Sequence, residues 1–75
     1  MARALTLEDV TAELGTVTSA SDARAVVNRA SRIAGAPDNR PLEVQELLRV
    51  CQALAAEGGM IQQIAELIAT RTLRE

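Results

Sequence analysis

The chain has 75 residues, a formal net charge of −2, and no Phe, Trp, Tyr, His or Lys. The missing His and Lys exclude Ser-His-Asp and Cys-His nucleophiles, the usual zinc, copper and haem sites, Schiff bases and the Walker phosphate lysine. The missing rings exclude a stacking platform for single-stranded nucleic acid, and the acidic balance argues against nucleic acid and anionic membranes as partners.

The first predicted helix spans Leu7 to Leu14. Thr6 is its N-cap, and Glu8 and Asp9 place carboxylates in the first turn, where the helix dipole favours them. Leu7, Val10, Leu14 and Val17 recur at three- and four-residue steps and share a face. Gly15 ends the helix.

The second helix is expected over Ala20–Ala34. Ser19, followed by Asp22, resembles a capping box. Ala23, Val26, Val27, Ala30, Ile33 and Ala34 form a narrow, small-sided stripe. Gly35 is the expected C-cap, and Pro37 confirms the stop.

The third helix is expected from Pro41, a residue suited to the first helical position, to Glu57. Its apolar line is Val44, Leu47, Cys51 and Leu54, flanked by Leu48 and Ala55. Gly58-Gly59 then connects to a fourth helix over Met60–Thr72, with Ile61, Ile64, Leu67 and Ile68 on one face. So short a connection leaves only an antiparallel hairpin. The last residues are expected to fray. The predicted fold is therefore all-α. It is one domain over residues 1–75, a compact bundle of four short helices centred on the antiparallel hairpin of the third and fourth.

A chain of this size buries only about 60–65% of its unfolded surface, and its apolar side chains are small. Cys51 is the single cysteine, so no disulfide can reinforce the core. Burial against a protein partner, or against a second copy, is the expected supplement. Val44, Leu48, Ile61, Leu67 and Ile68 are the residues expected to form that self-association surface, giving a homodimer or an obligate complex. The lone thiol fits a reducing compartment, the first ten residues do not read as a signal peptide, and no membrane span is expected. A cytoplasmic location follows as an expectation. The all-arginine basic set and the many alanines are compositional biases of GC-rich genomes and point to a bacterium or phage.

The second helix carries the most specific pattern. Arg24, Asn28 and Arg32 lie at i, i+4 and i+8, with Arg29 beside Arg32, and no acid stands three or four residues from any of these arginines. Arg40 follows in the adjoining loop. This is a cationic face suited to an acidic partner, because the planar guanidinium matches a carboxylate or a phosphate. The competing expectation is that Glu8, Asp9 and Glu13 of the first helix neutralise it, or that the arginines are simply solvated.

Cys51 falls inside an apolar line and reads as a small core hydrophobe. Glu8-Asp9 and Glu43/Glu46 read as helix-end electrostatics rather than acid–base pairs. The stretch Ile64-Ala-Glu-Leu-Ile-Ala-Thr-Arg-Thr-Leu-Arg74 is loosely similar to the first helix and turn of bacterial helix-turn-helix domains, with Ala69 where the turn glycine would stand. No cofactor, metal or catalytic residue is expected. The favoured function is a non-enzymatic protein-binding module: a small adaptor, inhibitor or regulatory subunit. The alternatives are a small DNA-binding regulator, and a ligand carrier or enzyme subunit.

Overall fold

The computed structural model describes residues 5–74. Residues 1–4 of the stretch read against a signal peptide, and residue 75 of the terminus expected to fray, lie outside the described residues. Four helices follow one another: α1 (Leu7–Leu14), α2 (Ala20–Ala34), α3 (Val44–Ala55) and α4 (Gly59–Arg74).

Local chemistry sets the first two helices. Thr6 Oγ1 accepts a hydrogen bond from the Asp9 N–H at 3.1 Å, and the Thr6 N–H donates to Asp9 Oδ2 at 3.0 Å. This reciprocal capping box satisfies two otherwise orphaned groups at the start of α1. Ser19 Oγ accepts from the Asp22 N–H at 3.1 Å, which starts α2. At the other end of α2 the Ala36 N–H reaches the Ser31 carbonyl at 2.9 Å and the Gly35 N–H reaches that of Arg32 at 3.3 Å. This is a Schellman closure with the left-handed residue at Gly35.

α3 begins three residues later than Pro41 would place it. Leu42 is pulled out of the helix, and its N–H donates to the Leu5 carbonyl at 2.7 Å. Its side chain is buried, as is that of Leu47 five positions on. The pair stands where a hydrophobic staple places its two residues, before the cap and in the first turn. The helix starts on Glu43, whose N–H is accepted by Glu46 Oε1 at 2.9 Å. α3 also stops at Ala55 rather than Glu57, because Glu57 and Gly58 close the turn onto the Leu54 and Ala55 carbonyls. Gly58 and Gly59 both take positive φ, 76° and 59°, which reverses the chain tightly into α4. α4 then runs unbroken through Ala69 to Arg74, so no helix-turn-helix bend interrupts it and the last described turn stays helical.

Each helix packs on the next, and α1 touches α4 to close the bundle. The α3–α4 hairpin is the most extensive of these packings, and α2 against α3 is nearly its equal. The core holds Leu7, Val10 and Leu14 of α1, and Ala23, Val26, Val27 and Ala30 of α2. Leu42 joins them with Leu47, Val50, Cys51 and Leu54 of α3, and Ala65 and Ile68 of α4. Ile33, expected in the α2 stripe, is instead 76% exposed. At about 100° per residue it lies only about 20° from Val26, on the Arg29 side of the stripe and in the last turn of α2.

Candidate interaction surfaces

The outer face of α2 carries Arg24, Asn28, Arg29 and Arg32, all exposed. Arg29 Nη2 donates to Glu57 Oε1 at 3.1 Å, an acid in the α3–α4 turn. Glu13 of α1, expected to screen this face, is instead paired with Arg71 of α4 at 3.0 Å. Arg24 and Arg32 have no ion pair among the described residues. They stand on one side of α2 with Asn28 between them, and exposed Ile33 follows Arg32.

Arg40 has a different setting. Its Nη1 and Nη2 donate to Glu46 Oε1 and Oε2 at 3.0 and 2.9 Å, and Nη1 also donates to the Pro41 carbonyl at 3.0 Å. The hydrogen bond that Arg40 donates to Glu46 raises the Arg40 pKa. The same hydrogen bond, with that from the Glu43 N–H, holds Glu46 below the usual carboxylate value. One carboxylate thus ends the α2–α3 loop and starts α3, and the Arg40 fork is filled within the fold.

The second surface is an open groove of about 310 Å³ along the α3–α4 seam. Leu48, Cys51 and Ala55 line it from α3, and Ala65, Ala69 and Leu73 from α4. Gln52 and Glu66 supply its polar edge. The antiparallel pairing sets Val44 near the end of the seam that holds Leu73. Leu73 is 69% exposed and Val44 47%. Small side chains in the floor let another helix approach closely. A narrower recess, lined by Glu13, Ile64, Leu67 and Arg71, lies where α4 meets α1.

These positions revise the expected self-association set. Ile68 is only 1% exposed and belongs to the core, so it cannot meet another chain. The buried line of α4 runs through Ala65 and Ile68, which turns Leu67 outward beside α1 and leaves Ile61 half-buried. Val44 and Leu48 lie along the seam. Leu73 was missed because the expected helix stopped at Thr72. Periodicity carried to Arg74 would have put it one turn beyond Ala69. Val50, also missed, is fully buried.

Cys51 is a core residue at the groove floor, and burial pushes its thiol up to about 11. A thiol held neutral in this way is not an activated nucleophile. The two acidic pairs are engaged at helix starts, Asp9 with Thr6 and Glu46 with Glu43. Among the described residues no helix is long and apolar enough to cross a membrane. Comparison with family models, curated proteins and solved structures finds no match to this chain.

Proposed function

We propose that this chain is a non-enzymatic protein-binding module, an adaptor, inhibitor or regulatory subunit that grips an acidic segment of another protein through the outer face of α2. The observation that supports it is the state of Arg24 and Arg32. Both are exposed, and neither has an ion pair among the described residues. Arginine is among the residues that concentrate binding energy at protein interfaces. Arg29 and Arg40 are secondary, since each would first have to leave its own glutamate. The net charge of −2 favours an acidic protein segment over a nucleic acid, because the rest of the surface repels a polyanion.

The test is capture from the source lysate on the immobilised chain, repeated with the double variant Arg24→Glu and Arg32→Glu. The reading expects a captured protein that the double variant loses and that a Glu-rich helical peptide displaces. Undiminished capture by the double variant would refute it. Displacement by duplex DNA, with affinity falling steeply in salt, would favour the DNA-binding alternative.

A further inference from the structure

The groove along α3 and α4 is separate from the α2 arginine face, and its charges decide what covers it. Arg49 is exposed on α3, next to Leu48 in the groove wall. The acid three residues before it, Glu46, is already held in both oxygens by Arg40. Glu66 is exposed on the α4 edge of the groove and receives one neutral hydrogen bond, from Gln62 Nε2 at 3.2 Å. Neither Arg49 nor Glu66 has an ion pair among the described residues. Arg49, which acts on Glu46 only through its field, therefore stands beside the α3 wall of an apolar trough, and Glu66, without an ion pair among the described residues, borders the α4 side. Such a surface is complementary to itself after a half-turn.

We propose that a second copy of this chain closes the groove, with α3 of each copy lying over α4 of the other. A two-fold axis parallel to the helices produces this arrangement. The hairpin pairing sets Arg49 about level with Ile68 and Glu66 about level with Cys51. The axis therefore brings Arg49 of each copy to within about one helical turn of Glu66 of the other, a gap that an arginine spans. Leu48, Ala55, Ala69 and Leu73 of both copies then meet in the middle, and two identical ion pairs border them.

The size of the face sets the strength. Twelve residues of α3 make a strip about 18 Å long, and two helices side by side make it about 20 Å wide. That is about 360 Å² on each copy, below the roughly 800 Å² per partner of standard specific interfaces, so the dimer is a weak and reversible one. This inference rests on the protein-binding reading but uses a different surface.

Sedimentation velocity from micromolar to millimolar concentration tests it. The wild type is expected to pass from monomer to dimer. Leu73→Asp, at an exposed position that leaves the fold intact by circular dichroism, is expected to remain monomeric. Arg49→Glu replaces two attractions with two repulsions and should weaken the dimer by about tenfold or more. Adding Glu66→Arg to that chain reverses both charges and should restore the wild-type constant. A wild type that stays monomeric, or a dimer indifferent to Leu73→Asp and to the charge swap, overturns the proposal. A monomer that still loses its captured protein on Arg24→Glu and Arg32→Glu removes the dimer alone and leaves the α2 reading standing.

Discussion

Leu54 and Ile33 show how differently two aliphatic residues of similar size count here. Leu54 is fully buried between helices, whereas Ile33 stands in water. Replacing a buried leucine by alanine costs about 2–5 kcal/mol through lost transfer energy and the cavity left behind. A domain of this length has about 4–11 kcal/mol in total. Leu54→Ala is therefore expected to lower the denaturation midpoint severely, and Ile33→Ala to move it by less than about 0.5 kcal/mol. Chemical denaturation of both variants checks this, and equal shifts would mean that the core is misplaced.

Cys51 offers a second test at the same scale. The chain has no Lys or Tyr, so among its side chains only this thiol titrates near pH 10. Its value is raised from 9.0 to about 11 in the fold. Above pH 9 the unfolded chain releases a proton that the folded chain retains. The stabilising contribution is thus complete below pH 9 and declines as pH rises through the window up to about 11. Cys51→Ala should flatten that decline, whatever it does to the baseline. An unchanged alkaline slope in the variant would contradict the burial of the thiol.

At the scale of elements, Glu46 joins two jobs that substitution can separate. Glu46→Gln keeps an acceptor for the Glu43 N–H but loses the ionic pairing with Arg40, and Glu46→Ala loses both. The alanine variant should be the less stable of the two, because it alone loses the acceptor at the start of the helix. The native carboxylate titrates below its ordinary value. Its small stabilisation is therefore present above the usual carboxylate range and disappears as pH falls through the folded value. An acid titration of stability should show this step in the wild type and lack it in Glu46→Gln. Gly58 is the other element-scale test. A Cβ there meets no neighbour, so the cost of Gly58→Ala comes from φ alone, about 1–2 kcal/mol.

The elements also show what a sequence can and cannot reveal. α1 and α2 were readable to the residue because Thr6, Ser19 and Gly35 act on their own neighbours. The start of α3 was not, since Leu42 leaves the helix for a hydrogen bond to Leu5, far back in the chain. Pro41 alone could not signal that. The exposed face of Arg24, Asn28 and Arg32 was legible from spacing. The acid that takes Arg29 was not, because Glu57 lies 28 positions away. The rotation of α4 was hidden for a related reason. Ala65 is a weak hydrophobic signal beside Ile64 and Leu67, yet its small size lets α4 settle against α3.

For the whole molecule, the radius of gyration is 10.9 Å, against about 11 Å for a folded domain of this length. The chain is therefore as compact as a single folded domain of its length. What it leaves uncovered is uneven: the α3–α4 seam with Val44 and Leu73, and the cationic side of α2. Two surfaces on different helices would let one copy hold its twin and still present Arg24 and Arg32 to another protein.

The most direct measurement is the thermal midpoint by calorimetry over a wide range of protein concentration. Mass action makes a dimer that binds only the folded chain more stable as concentration rises. In a domain of this size each kcal/mol moves the midpoint by about 4–8 °C. The wild type should therefore climb by several degrees from micromolar to millimolar, while Leu73→Asp stays level. A wild-type midpoint that is high and independent of concentration would show a self-sufficient monomer, and the seam between α3 and α4 would then have no second chain to close it.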